Sequence, residues 1–261
     1  MRRRAAILGP IVVLSLALHA NAQVTNRSVA NAKPSEVRVM ATAAIRGPLN
    51  AVLEQAEAEI GRPIVVEYGS ARGNLKDEIL GGQDFEVAIL LPDVGDEIAT
   101  AGKIAHGRFE IARVPVAFGL RGDVPKVDVH STAAVEAALL NAKSVKYAPT
   151  GAALMTVRKI LGTLGIAGQI HDSSTAKEEV PLAAGDYEIN IYPLSEIIPN
   201  KKLKNMGAVI PALQVPAAIE ASVGRNATDD KVARALIDFL QGPAIDPALK
   251  AYGMEKGRTG N

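Results

Sequence analysis

Three times in its first hundred residues the chain passes from a short apolar run, through a joint of small residues, into a stretch of helical spacing. The runs are "EVRVMAT", "PIVVEYG" and "FEVAILL", and their successors are "RGPLNAVLEQAEAEIG", "NLKDEILGG" and "VGDEIATAG". In the first successor Leu49, Val52, Leu53, Ala56 and Ile60 share one face, Pro48 suits a first helical turn and Gly61 a stop. A continuous apolar strand followed by an amphipathic helix is the signature of a βαβ unit. The alternation therefore predicts an α/β fold built on mixed, mainly parallel sheets flanked by helices.

A second series follows "ARVPVAFGLRGD", which reads as a strand leaving the first unit. "STAAVEAALLNA" and "AALMTVRKILGTLG" read as helices, "SVKYAP" and "YEINIYPL" as strands, "QIHDS" as a short strand, and "AKEEVPLAAGD" as a helix broken by Pro181. "AVIPALQVPAAIEASVG" fits strands returning to the first unit, with Pro211 and Pro216 confined to edges or crossovers. "TDDKVARALIDFLQG" carries an N-cap signal and ends at Gly242-Pro243, and "DPALKAYG" supplies a last helix. The expected organisation is two lobes: residues 35–115 with 212–261, and an inserted lobe of residues 116–211. The chain crosses between them near 115–118 and 209–213, as a hinge.

Arg2-Arg3-Arg4, an apolar run shorter than the ~20 residues of a spanning helix, and Ala20-Asn21-Ala22 together describe a secretory signal peptide over residues 1–22. The expectation is export to a bacterial periplasm with cleavage after Ala22 and no stable membrane insertion. Cysteine is absent, so disulfides, thiolate chemistry and a lipid-anchored cysteine are excluded. Taking the three leader arginines from 29 basic residues leaves 26 against 28 acidic ones. No basic stripe remains beyond Lys201-Lys202-Lys204, read as a solvated loop, so nucleic acid is not an expected partner. With aromatics at 3% and no tryptophan, sugars and quaternary ammonium ligands fit poorly.

In open α/β sheets ligands sit outside the carboxyl ends of the strands, where helix N-termini point. Four joints qualify: "MATAAIRGP", "YGSARGN", "APTGAAL" and "SSTAKEE". Small residues let a ligand approach backbone N–H groups there, which makes such joints candidate anion cradles. In the second, Gly69 permits the turn, Ser70 offers a hydroxyl, Gly73 lets the backbone wrap and Arg72 offers charge. Each joint also serves simply as a helix cap. Arg46 and Arg72 suit a carboxylate, phosphate or sulfonate by their bidentate fork, or else point into water.

Catalytic chemistry finds little support. Gly69-Ser70-Ala71-Arg72-Gly73 is not a G-x-S-x-G elbow, since its serine stands one position early. Beyond the leader the histidines are His106, His130 and His171, without metal spacing. Asp229-Asp230, Glu178-Glu179 and Asp77-Glu78 fall at helix starts or faces. No catalytic residue, metal or cofactor is expected.

The order of elements and the phrases "YGSARGNLKDEILGGQDFEVAILLPDVGDEIATAGKI", "APTGAALMTVRKIL", "INIYPLSEI" and "ALIDFLQGPAIDPALKAYGM" resemble the periplasmic molybdate-binding protein family, type II solute receptors of ABC importers. The resemblance spans residues 37–253. It implies a two-lobe type II periplasmic binding fold, a small oxyanion held in the interlobe cleft, a partner permease and a monomer. By position, Ala44 stands where the family has its first binding serine, and Ser70 matches the second in a loop lengthened by Arg72. Thr150 and Gly151 fall at the second-lobe helix start, Thr175 or Ala176 at a later backbone donor, and Tyr192 at the binding tyrosine. The lost serine and the arginines Arg46 and Arg72 keep open a receptor for a small organic carboxylate, phosphonate or sulfonate. A periplasmic enzyme acting on an anionic substrate and the effector domain of a transcription regulator are the other readings. The leader, and the absence of a DNA-binding helix pair, oppose the last.

Overall fold

A computed structural model describes residues 27–124 and 127–258; the expected signal peptide lies outside them. The strands are β1 (Val37–Thr42), β2 (Ile64–Gly69), β3 (Val87–Leu90), β4 (Ile104–Val114), β5 (Val116–Arg121), β6 (Ser144–Tyr147), β7 (Glu188–Pro193), β8 (Lys204–Ala208), β9 (Ala217–Gly224) and β10 (Glu255–Lys256). The helices are α1 (Arg46–Ile60), α2 (Lys76–Leu80), α3 (Pro92–Thr100), α4 (Thr132–Asn141), α5 (Leu154–Leu164), α6 (Leu194–Ile197), α7 (Asp230–Gln241) and α8 (Asp246–Ala251). Among the described residues no helix is long and apolar enough to cross a membrane.

Two mixed sheets carry two lobes. The first has strand order β10-β4-β9-β3-β1-β2 and the second β6-β7-β5-β8. Parallel pairing joins β2, β1 and β3, and separately β6 and β7, as the alternation predicts. The other five pairings among the described residues are antiparallel, so the sheets are mixed without being mainly parallel, because β4, β5, β8 and β9 run to or from the crossovers rather than through a helix. Each lobe has its own apolar core. Met40, Ile45, Leu49, Leu75, Ile89 and Ile98 belong to the first, and Phe118, Leu139, Val145, Ile160 and Ile189 to the second. Ala152, although it opens the helical joint of the second lobe, packs into the first core.

The helix ends follow local chemistry. Gly61 and Gly165 close α1 and α5 at φ 70° and 67°, a region where a Cβ is costly. Asp229 caps α7 by accepting from the Val232 N–H at 3.1 Å. Each sheet also carries a buried Arg–Glu pair. Arg38 meets Glu86 at 2.7 Å, and Arg121 meets Glu188 at 3.0 Å, with Ser144 and Asn190 donating to the Glu188 carboxylate as well.

The sequence-based expectations also fail in three segments. "AKEEVPLAAGD" forms no helix, since Pro181 removes a donor and leaves segments too short to nucleate. Instead the Val180 carbonyl accepts from Arg121 Nη2 at 2.8 Å, and Asp186 turns back on Ala183. "QIHDS" makes only one bridge, Val145 with Asp172. Lys204 opens the edge strand β8 instead of a loop; edge lysines discourage further pairing.

At the crossovers β4 gives way to β5 at Pro115, and residues 209–216 lead from β8 to β9. Gln214 staples the two passages together. Its Oε1 accepts from the Val116 N–H at 3.0 Å, and its Nε2 donates to the Val116 carbonyl at 2.9 Å. Thr156 ties α5 to the second passage through the Val215 carbonyl at 2.8 Å.

Candidate functional site

The joint after β2 departs from an ordinary cap. The Leu75 N–H reaches back five residues to the Ser70 carbonyl at 3.3 Å, closing a loop over residues 71–75 that is kinked at Gly73, whose φ −113° and ψ −123° are not helical. Arg72 is the residue by which the family resemblance lengthens this loop. The Asn74 carboxamide fills the turn, accepting from the Ser70 N–H at 2.9 Å. A Cβ on Gly69 would lie 2.6 Å from that carboxamide, which explains the glycine.

This joint meets the one after β6 across the lobes. Ser70 Oγ lies 2.7 Å from both the Thr150 carbonyl oxygen and the Thr150 hydroxyl, its one proton serving either. The Arg72 N–H donates to the Thr150 carbonyl at 3.2 Å. The Arg72 guanidinium donates Nη1 to the Gly151 carbonyl at 2.7 Å and clasps Asp93, at the start of α3, through Nε at 2.6 Å and Nη2 at 3.1 Å. Arg72 therefore already has a carboxylate. Its charge is neutralised within the first lobe and its reach joins the second.

The joint after β1 also touches the other lobe. Ala44 is buried in the 3₁₀ turn before α1, and its carbonyl accepts from Ser195 Oγ at 2.7 Å. Beside this contact lies a cavity of about 480 Å³. The first lobe contributes Ala43, Arg46, Gly47, Asn50 and Tyr252; Ser195, Glu196 and Pro199 come from α6 and its exit, just beyond β7. Arg46 stands at the first turn of α1, where the helix dipole favours an anion. Its guanidinium lies over the Tyr68 ring, 4.8 Å from the centroid, and the Tyr68 hydroxyl donates to Asn50 at 2.6 Å. Among the described residues Arg46 makes no ion pair, unlike Arg72.

Glu196 was not among the residues that sequence reasoning singled out. Burial pushes its carboxyl up to about 7, and Arg46 only partly counters that. Tyr192, on the face of β7 opposite the core residues Ile189 and Ile191, stands in the field of Glu196. Burial, with the Glu196 and Glu188 carboxylates, pushes its phenol up to about 12, so it remains a proton donor at neutral pH.

Thr175 is not brought to this region. It is exposed in a turn after Asp172, which itself accepts from the Tyr147 hydroxyl at 2.7 Å. Among the described residues no hydrogen bond or ion pair joins Thr175 to the first lobe. The structure thus gathers Ser70, Arg72, Thr150 and Gly151 in one cross-lobe cluster, and Ala44 and Arg46 beside another, with Tyr192 close to the latter. Asp93, Ser195 and Glu196 are the additions. Among the described residues no group of three or more His, Cys, Asp or Glu is placed to hold a metal ion, and Ser70 has Thr150 rather than an imidazole at its hydroxyl.

Residues 37–255 match the family of bacterial extracellular solute-binding proteins. Molybdate-binding protein ModA of Azotobacter vinelandii is 27% identical over 236 residues, covering 85% of this chain and 90% of that protein. Among solved structures, the periplasmic molybdate-binding protein of Azotobacter vinelandii superposes with a TM-score of 0.64 at 20% identity, over 85% of this chain and all of that one. The sulfate-binding protein SubI of Mycobacterium tuberculosis gives 0.66 at 15%, over 85% and 87% of the two chains. Peb3 of Campylobacter jejuni gives 0.60 at 14%, over 84% and 99%. These superpositions show the type II periplasmic binding fold.

Proposed function

This chain belongs to the bacterial extracellular solute-binding protein family, and from that premise we propose that it is the periplasmic receptor of an ABC importer, capturing a small anion between its lobes. The observation that carries the reading is the interlobe cavity lined by Arg46, which is exposed at a helix N-terminus and among the described residues makes no ion pair, whereas Arg72 has Asp93. A guanidinium already satisfied gains little from a ligand; one left open in a crevice gains a bidentate, charge-assisted contact. The relatives named for molybdate and sulfate support an oxyanion or a comparable small acid.

The roles divide accordingly. Arg46 and the first turn of α1 balance the ligand's charge, and the Tyr192 phenol donates a hydrogen bond. The Ser70–Thr150 contact and the Arg72–Gly151 bond span the lobes, so they exist only when the lobes approach. The Ser70–Thr150 contact contributes about 1 kcal/mol to closure and the charged Arg72–Gly151 bond about 1.5 kcal/mol. The ligand adds contacts on both sides that the open form lacks, and so shifts the population to the closed form. The lobes, residues 35–115 with 212–261 and residues 116–211, move about the passages that Gln214 holds, and the closed face is what the permease recognises. The receptor performs no chemistry and works as a monomer after loss of residues 1–22.

Thermal unfolding with molybdate, tungstate, sulfate, phosphate and small carboxylates tests this reading. At a hundred times its Kd a ligand adds about 2.7 kcal/mol of stability. At least one anion is expected to raise the melting temperature of the wild type, and Arg46→Gln is expected to lose most of that rise. No stabilisation by any anion, or an undiminished response in Arg46→Gln, overturns it.

A further inference from the structure

Glu196 faces the same cavity as Arg46, and this pairing constrains the ligand more than the fold does. Among the described residues neither side chain makes a hydrogen bond or an ion pair, and they lie too far apart to form one with each other. A guest between them meets a cation on the α1 side and a carboxyl group on the α6 side. Around the carboxyl group stand Arg46 from α1, Tyr192 from β7 and Tyr252 from the end of α8. Ser195, its neighbour, is committed to the Ala44 carbonyl.

We propose that Glu196 is the specificity-determining residue of the site: the solute presents an anionic oxygen to Arg46 and an O–H or N–H donor to Glu196. The preferred class is a small acid that keeps a donor beside its charge, as hydrogenphosphate or a 2-hydroxy acid does. A fully ionised tetraoxo dianion such as sulfate or molybdate offers Glu196 only lone pairs, and two acceptors face to face repel. This inference rests on the anion-receptor reading and adds to it the chemistry of the second contact. A site that accepts a hydrogen bond disfavours the analogue that lacks the donor, because the half-buried Glu196 carboxylate would give up water without a replacement.

The protonation of Glu196 gives the proposal a second signature. Its carboxyl group is raised to about 7 by burial. Below that pH it carries a proton and donates, so the cavity tolerates a dianion; above it, the carboxylate demands a donor from the ligand. Discrimination against fully ionised anions therefore increases as pH rises through about 7.

The test uses two pairs of near-isosteres that differ in one donor: hydrogenphosphate against sulfate, and lactate against propionate, titrated calorimetrically into the leaderless full-length protein. At about pH 8 the donor-bearing member of the pair that binds is expected to win by about tenfold or more. At about pH 6 the lactate–propionate margin narrows as Glu196 takes up its proton; phosphate itself titrates in this range, so its pair is read at about pH 8. Glu196→Gln, which keeps the shape and loses the charge, is expected to strengthen sulfate binding and erase the pH dependence of the lactate–propionate margin. Equal affinities within each pair at about pH 8, or an unchanged preference in Glu196→Gln, overturns the proposal and leaves the anion receptor standing. Failure of all four to bind, with Arg46→Gln no different from wild type, overturns both. Because the pH profile is read on the wild type, the outcome does not depend on the variant folding.

Discussion

Replacing Arg72 by alanine separates a latch from a ligand contact. The guanidinium has three bonds to lose, two to Asp93 within its own lobe and one to the Gly151 carbonyl across the cleft. Only the last changes between open and closed forms. A hydrogen bond from a charged donor contributes about 1.5–3 kcal/mol. The Arg72 side chain is 15% exposed and shares its charge with an Asp93 that is 50% exposed, which places the value at the lower end. About 1.5 kcal/mol corresponds to roughly tenfold. The Arg72 N–H to the Thr150 carbonyl and the Ser70–Thr150 contact survive the substitution. If the free protein is mostly open, the affinity for every ligand falls by that same factor, because the cost lies in closure. Calorimetric titration with a monoanion and a dianion measures it. A loss of about tenfold for both is expected. A loss confined to the dianion would place Arg72 on the ligand, and no loss for either would remove the latch from the mechanism.

Two further substitutions and one titration follow from the same contacts. Arg121→Met leaves the buried Glu188 carboxylate without its cation and is expected to cost about 3 kcal/mol in urea unfolding, whereas Glu188→Gln, which keeps the Ser144 contact, costs less. Gly47→Ala would set a Cβ 2.2 Å from the Tyr252 ring, so it is expected to lower stability by about 1–3 kcal/mol and to alter ligand affinity through the displaced tyrosine. Acid stability depends on Glu86 and Glu188. Burial alone would raise their carboxyl groups, but hydrogen bonds from Arg38 and Thr228 in one case, and from Arg121, Ser144 and Asn190 in the other, hold both below the usual carboxylate range. Their contribution is full above about pH 4.3 and disappears as pH falls through the lowered values. Glu196 acts in the opposite sense: its raised carboxyl favours the folded state at low pH, and that contribution is lost as pH rises from about 4.3 to about 7. Melting temperature against pH, without added anion, is expected to show a fall below about pH 4.3 in both proteins and a shallow decline up to about pH 7 that Glu196→Gln lacks.

Much of the fold was legible because its determinants are local. The alternation of apolar runs with amphipathic ones, Pro48 and Gly61 at the ends of α1, and the Asp229 cap of α7 each act within a turn or two of chain. The joints after β2 and β6 were legible as candidate sites for the same reason, since small residues between a strand and a helix are a local pattern. What those joints hold was not. Asp93 reaches Arg72 from 21 residues away and decides that its charge is spent. Glu196 lies in an unremarkable "PLSEI", and only the packing of α6 against the 3₁₀ turn of residues 43–45 brings it to the cavity that Arg46 lines. Segment 176–186 was misread because its charged run has helical composition, whereas Pro181 and the Arg121 donor settle it into an irregular cover for the second sheet.

A crystal structure of the protein soaked with whichever anion raises its melting temperature most tests the central claim directly. Density for that anion is expected between the lobes, with an oxygen within hydrogen-bond distance of the Arg46 guanidinium and Arg72 still clasping Asp93. Density at Thr175 or on the outer surface, or an empty cavity beside Arg46 at saturating ligand, would contradict it.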